Sequence, residues 1–237
     1  MIRTYRIAGR NIKIDSQYEA VHKLCEGYEY DGGDCDFEVV MTPDLIEEER
    51  DVYSKSNLSQ EAYLEELAVY RQICERMPSY DTFLIHGSCV AVDGEGYLFI
   101  ARSGVGKSTH AKLWTELLGD RAVMVNDDKP LVRADENGVV IFGTPYNGKH
   151  RRGSNICVPL KAICVLKRGE ENSIRPLTAA EVFQYLVQQT YRPSDKMVYK
   201  KTLDLLNVVM GRCKFYELCC NMDISAAETA YNGMKGN

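Results

Sequence analysis

No stretch of this sequence approaches the run of about eighteen apolar residues that a membrane-spanning helix needs, so no membrane partner is expected. The opening Met1–Gly9 is too short and too polar for a signal peptide, which points to a cytoplasmic location. The cysteines number nine, an odd count, and none stands in a C-x-x-C pair of the kind that holds zinc. They read as reduced thiols, mostly small core residues. The four histidines are too dispersed to argue for a metal other than magnesium. There is no basic stripe interleaved with aromatics, and nucleic acid is not expected as a partner.

What is present suits a globular enzyme or binding protein. With 237 residues, 45% hydrophobic and 27% charged, the chain is long enough for one generous domain or a domain with an appendage. The net charge of −5 is unevenly spread. Residues 1–80 carry 9 Lys/Arg against 17 Asp/Glu, and residues 81–237 carry 20 against 17. A mildly basic second part suits polyanionic phosphates. The expected division is a small α+β accessory segment, 1–80, followed by a nucleotide-binding domain, 81–237.

Periodicity fills in the elements. Ile2–Ile14 alternates around a turn at Gly9, and Phe37–Met41 is a second strand-like run. From Ser59 to Met77, Tyr63, Leu67, Tyr70, Cys74 and Met77 recur at helical spacing until Pro78 stops them. Phe83–Val92 reads as a strand, Asp93-Gly94 as a turn and Tyr97–Ile100 as a strand leading into a glycine-rich loop. A helix over Ser108–Leu118, closed by Gly119, carries the only tryptophan, Trp114, expected in the core. Strands follow at Ala122–Val125, Val139–Phe142 and Ala162–Leu166, with a loop over Gly143–Gly153. Thr178-Ala-Ala-Glu181 is a capping box for a helix reaching about Tyr191, Lys196–Met210 is another helix, and Ser225-Ala-Ala-Glu228 caps a last one. Lys214–Cys219 reads as an edge strand.

The loop Ala101-Arg-Ser-Gly-Val-Gly-Lys107-Ser108 matches the Walker A pattern except that alanine stands at the first glycine. Small residues let consecutive amides turn inward around a β-phosphate, and the following helix aims its positive end at the same anion. Ser103, Gly104, Val105, Gly106, Lys107, Ser108 and Thr109 are the expected nucleotide-binding residues. Lys107 reaches the β/γ oxygens and Ser108 offers a hydroxyl to magnesium. Asp127 and Asp128 end the next strand, where open α/β sheets put ligand-facing groups. Asp128 is assigned as the base that orients an acceptor hydroxyl and Asp127 as the magnesium-side carboxylate, with the two roles exchangeable. In the loop 143–153, Lys149 and Arg152 are candidates to neutralise a transferring phosphoryl group. No Asn-Lys-x-Asp motif follows, which favours ATP over GTP.

His86-Gly87 on a strand, the hairpin into Ser103-Gly-Val-Gly-Lys-Ser108, and Asn126-Asp127-Asp128 resemble the C-terminal domain of HPr serine kinase/phosphorylase, itself similar to phosphoenolpyruvate carboxykinase. The loop Gly143-Thr-Pro-Tyr-Asn-Gly-Lys149-His150 is similar to a Gly-Thr-Pro-Trp-x-Gly-Lys segment of bacterial relatives of that kinase. The resemblance covers roughly Phe83 to Arg168. It implies an α/β fold of the phosphoenolpyruvate-carboxykinase/HPr-kinase-like P-loop type, with a mixed sheet and C-terminal helices, and ATP with Mg2+ as cofactors. It also implies a catalytic set of Asp127, Asp128 and Lys107, with His86 beside the phosphates. Tyr146 stands where tryptophan is usual, and no Glu-Ile-Arg-Gly-Leu-Gly segment is present, so HPr is not assumed to be the substrate. HPr kinases are hexamers, which leaves a homo-oligomer open, although no segment here specifies an interface.

The expected activity is transfer of the γ-phosphoryl group of ATP to a hydroxyl, either a serine of a protein or peptide or a small molecule. The competing reading is a non-catalytic, nucleotide-dependent module that binds a peptide or protein.

Overall fold

Ile2–Ile7 (β1) and Arg10–Asp15 (β2) form an antiparallel hairpin whose turn residues, Ala8 and Gly9, both adopt positive φ, the geometry that matches the right-handed twist of the flanking strands. The computed structural model describes residues 1–53 and 61–236, so the expected helix start at Ser59 lies outside the described residues. Contacts divide the chain into two units, Met1–Met77 and Pro78–Asn237.

In the first unit, Phe37–Val40 (β3) runs parallel to β2, completing a three-stranded sheet. Three helices accompany it: Glu19–Leu24 (α1), Pro43–Tyr53 (α2) and Glu61–Arg76 (α3). The first two were not expected. Helix α3 packs on α1, α2 and β3, and buries Leu64, Ala68, Val69, Ile73 and Cys74. Tyr70 and Cys74 face inward as the spacing predicts, whereas Tyr63 is exposed, because contact with three elements widens and rotates the buried face. Glu65, fully buried on that face, accepts the backbone N–H groups of Gln17 (2.5 Å) and Tyr18 (2.8 Å), just before α1.

The second unit is built on a nine-stranded mixed sheet. Its strands are Thr82–Leu84 (β4), Ser88–Val92 (β5), Glu95–Ile100 (β6), Ala122–Asn126 (β7), Leu131–Asp135 (β8), Gly138–Phe142 (β9), Cys157–Arg168 (β10), Ser173–Pro176 (β11) and Lys214–Cys220 (β12). The order is β4-β8-β9-β10-β6-β5-β7, with β12 paired to β10 and β11 to β12. Helices Lys107–Leu118 (α4), Ala179–Gln189 (α5), Lys196–Arg212 (α6) and Ile224–Met234 (α7) complete it. Side chains alternate between the two faces, as strand pleating requires. Tyr97, Phe99, Ala162 and Cys164 meet Trp114 and Ala227 of α4 and α7, and Leu98, Ile100, Ile163 and Val165 meet Leu186 and Leu206 of α5 and α6.

Four expectations need correction. Phe83–Val92 is not one strand: Ile85-His86-Gly87 interrupts it, so β4 and β5 lie in different parts of the sheet and His86-Gly87 sits in the break. Lys214–Cys220 is no edge strand, since it pairs with β10 on one side and β11 on the other. The cap of α7 is Asp223 rather than Ser225. Strand Ala162–Leu166 is the middle of the longer β10. The Thr178 box forms as read: its Oγ1 accepts the Glu181 N–H (3.3 Å), and the Glu181 carboxylate accepts the Thr178 N–H (2.8 Å).

Candidate active site

Strands β6 and β7 point the same way because each is antiparallel to β5, which lies between them. β10 and β12 run parallel with β6. Four chain segments therefore leave the sheet at one edge: Ala101 after β6, Asp127 after β7, Gly169 after β10 and Asn221 after β12. The start of β5, Ser88, lies at that same edge. Ligands of α/β sheets bind outside such carboxyl ends.

The segment after β6 turns through Gly104 (φ 80°) and Gly106 (φ 121°), conformations that side chains disfavour, and enters α4 directly at Lys107. Helix α4 has no side-chain cap at its N-terminus, so its first N–H groups stay available to an anion. The Lys107 ammonium folds back and donates to the Ala101 carbonyl at 3.0 Å. Burial pushes its pKa down, while Asp128 and Asp127 oppose that shift. From the end of β10, the Arg168 guanidinium donates to the Gly104 carbonyl and braces the loop from outside.

The two aspartates are held differently. Asp127 is buried and accepts the Ser88 hydroxyl at 2.9 Å. Burial raises its pKa; hydrogen bonds from Ser88 and Ser108 and the positive charge of Arg152 only partly offset this. Asp128 Oδ1 lies 2.9 Å from His86 Nε2. Burial pushes the Asp128 carboxyl up, but the His86 hydrogen bond and the charges of Lys129, His86 and Lys107 outweigh it, and the net direction is down. His86 reaches this position because the break between β4 and β5 is pinned on both sides: its N–H donates to the Gln189 carbonyl (2.7 Å), and that of Gly87 to the Asp128 carbonyl (3.0 Å).

Asn126 organises the turn. Fully buried, it accepts the N–H groups of Asp128 (2.9 Å) and Lys129 (2.8 Å) on Oδ1 and donates from Nδ2 to the Thr144 carbonyl (3.1 Å) and hydroxyl (3.0 Å). The segment 143–154 is thereby tied to the end of β7. Its far end pairs with the same strand: the Asp127 N–H donates to the Arg152 carbonyl (3.1 Å) and the Ser154 N–H to the Val125 carbonyl (3.1 Å). At Gly143 only glycine fits, because a β-carbon would lie 1.9 Å from the Ser154 carbonyl oxygen.

An open cleft of about 520 Å³ results, lined by His86, Ser103, Gly104, Gly106–Thr109, Asp127, Asp128 and Gly148–His150. Of the residues singled out in the sequence, this cleft gathers Ser103, Gly104, Gly106, Lys107, Ser108, Thr109, Asp127, Asp128, Lys149 and His86. Val105 turns away and lines two neighbouring cavities instead. Arg152 is not on the lining, though its charge is felt at Asp127. Sequence reasoning missed Ser88 and Arg168. A serine opening a buried strand and an arginine ending another carry no local signal; only the pairing of β5, β6 and β10 brings them to the loop.

A cation beside Ser108 suits this arrangement. Asp127 is a buried carboxylate interacting with the Ser108 hydroxyl, and a cation there would offset the burial that disfavours its charged form. Among the described residues there is no cluster of three or more His, Cys, Asp or Glu side chains able to hold a metal by themselves. Magnesium in a phosphate loop draws most of its ligands from phosphate and water and needs no such cluster.

Fold and site together define a mixed α/β protein with a strand–glycine loop–helix unit and two aspartates at one sheet edge. The chain belongs to the family described as SynChlorMet cassette protein ScmC, whose model matches residues 54–222. No curated protein matches it. Among solved structures it is similar to the Hpr(Ser) kinase/phosphatase from Coxiella burnetii, at 10% identity and a TM-score of 0.34, over 65% of this chain and 99% of that one. No helix among the described residues is long and apolar enough to cross a membrane.

Proposed function

We propose that the Pro78–Asn237 unit binds ATP with magnesium and transfers the γ-phosphoryl group to a hydroxyl, of a serine in a protein or peptide or of a small molecule. The observation that carries this reading is the convergence of Lys107, Ser108, Asp127, Asp128 and His86 on one cleft.

In this reading the loop amides and the N-terminus of α4 bind the β-phosphate, and Lys107 leaves the Ala101 carbonyl for the β/γ oxygens. Ser108 and Asp127 hold magnesium, which when bound neutralises charge on the phosphate oxygens. Asp128 accepts a hydrogen bond from the acceptor hydroxyl and takes its proton as the new O–P bond forms and the bond to the β-phosphate oxygen breaks. Its lowered pKa keeps it ionised. Phosphoryl transfer rewards orientation of the nucleophile more than base strength, so a weakly basic carboxylate suffices. His86 fixes the carboxylate's direction through the 2.9 Å contact. Lys149, which also lines the cleft, adds positive charge where the phosphoryl group passes.

The test is incubation with labelled ATP, magnesium and candidate hydroxyl acceptors, including serine-containing peptides and free serine. Transfer that is lost in Asp128→Asn supports the assignment. Transfer unchanged in that variant removes Asp128 from the chemistry, and nucleotide binding with no transfer to any acceptor would make the chain a nucleotide-gated binding module.

A further inference from the structure

The pairing of β5 with β7 changes register beside the cleft. Val92, Ala91 and Val90 face Ala122, Val123 and Met124 in turn, but the next residue, Cys89, pairs with Asn126, and Val125 is passed over. An extra residue of this kind is a β-bulge, and it moves every later partner by one position. In the shifted register Ser88, the first residue of β5, comes opposite Asp127. In the unshifted one Asp127 would oppose Gly87, which has no side chain. The carbonyl of Val125, free of the ladder, accepts the Ser154 N–H at 3.1 Å, so the segment 143–154 holds the bulge from the other side.

Ser88 is fully buried, and among the described residues its hydroxyl meets Asp127 alone: Oδ1 at 2.9 Å and the backbone carbonyl at 3.2 Å. A serine hydroxyl has one hydrogen to donate, and here both acceptors within its reach belong to the same aspartate. A lysine or arginine in this place would neutralise the carboxylate and compete with a cation for it. A neutral donor orients the carboxylate and leaves its charge in place. A carboxylate offers about four lone-pair sites on its two oxygens, so one bond at Oδ1 leaves the others for a cation.

We infer that Ser88 is a positioning residue for the cation of the bound nucleotide: brought opposite Asp127 by the bulge, it fixes that carboxylate so that a divalent ion beside Ser108 meets a ligand already oriented. The inference rests on the assignment of Asp127 to magnesium above, and it adds the group behind the ligand that holds it still. Hydrogen-bond partners one step behind a metal ligand typically carry about 10- to 100-fold in metal affinity.

The experiment uses paramagnetic Mn2+ in place of magnesium. The full chain is titrated with Mn2+ in the presence of ADP, which prevents turnover, and free Mn2+ is read by electron paramagnetic resonance, with its binding to free ADP measured separately. Calorimetry in EDTA gives the affinity for ADP without metal. Ser88→Ala should weaken Mn2+ binding by about tenfold or more, with ADP affinity in EDTA unchanged. Ser88→Thr, which keeps the hydroxyl on a side chain suited to a strand, should bind Mn2+ like the parent, and Ser88→Cys, a weaker donor of similar shape, should fall between the parent and Ser88→Ala. Equal Mn2+ affinity in the parent and Ser88→Ala overturns the proposal. So does a loss of ADP affinity in EDTA as large as the loss for Mn2+, which would make Ser88 a support of the loop and not of the cation site. A parent that binds ADP but takes up no Mn2+ with it removes magnesium from the phosphate-loop reading, and the role of Ser88 goes with it.

Discussion

His86 Nε2 and Asp128 Oδ1 face each other at 2.9 Å, although one follows the short strand β4 and the other ends the turn after β7. That pair is what distinguishes Asp128 from its neighbour Asp127, whose carboxylate faces the hydroxyls of Ser88 and Ser108.

The opposite environments of the two aspartates predict opposite pH behaviour of the unliganded protein. Asp128, with its pKa lowered on folding, contributes stability that is present above about pH 4, the ordinary carboxylate value, and is lost as pH falls through its folded pKa. Asp127, with its pKa raised, favours the fold when protonated and loses that contribution as pH rises through its folded pKa. Thermal unfolding at pH 7 should therefore show Asp128→Asn below the parent and Asp127→Asn at or above it by about 1–4 °C. Both differences should shrink as the pH approaches 3. Differences that keep their size from pH 7 to pH 3 would refute the assignment.

Removing the loop lysine isolates nucleotide binding. Lys107→Ala should abolish the melting-temperature rise that saturating Mg-ATP produces in the parent, a rise of several degrees when ligand reaches about 100 times its dissociation constant. Scanning fluorimetry with and without Mg-ATP measures it. A variant still stabilised like the parent would show that the loop does not hold the triphosphate.

Arg168 offers a subtler test, since its guanidinium donates to the loop at the Gly104 carbonyl. Arg168→Ala should weaken Mg-ATP binding about tenfold while lowering stability by about 1 kcal/mol or less, as expected for a bond at an exposed guanidinium. Unaltered affinity would mean that the loop keeps its shape without the brace.

Asn126 should matter most to stability. Alanine there strands two half-buried donors and two buried acceptors at once, and unmet buried groups cost about 1–3 kcal/mol each before relaxation and water entry. Asn126→Ala is expected to lose about 2–4 kcal/mol in denaturant unfolding and to lower transfer activity in step, because both aspartates hang on that turn. Thr144→Val should show a milder version, losing the hydroxyl that Asn126 Nδ2 donates to.

The sequence by itself determined those features that depend on a few neighbouring residues. Gly104 and Gly106 supply the positive φ angles of the loop, Lys107-Ser108 start a helix straight after it, and Thr178 with Glu181 caps α5. These are matters of backbone sterics and short-range hydrogen bonding, and they survive any arrangement of the rest. The apolar pattern also marked β6 and β7. It did not reveal that β4 and β5 part company at His86, because an unbroken apolar run reads the same whether it stays in one part of the sheet or passes between two. Nor did it reveal β8 or the place of β12 between β10 and β11.

Only the tertiary structure decided which distant groups meet. Inserting β5 between β6 and β7 puts Ser88 beside Asp127, breaking the chain at Ile85–Gly87 turns His86 to Asp128, and running β10 parallel to β6 delivers Arg168 to the loop. Strand order is set by burial summed over the whole sheet, and no local window of sequence contains that sum.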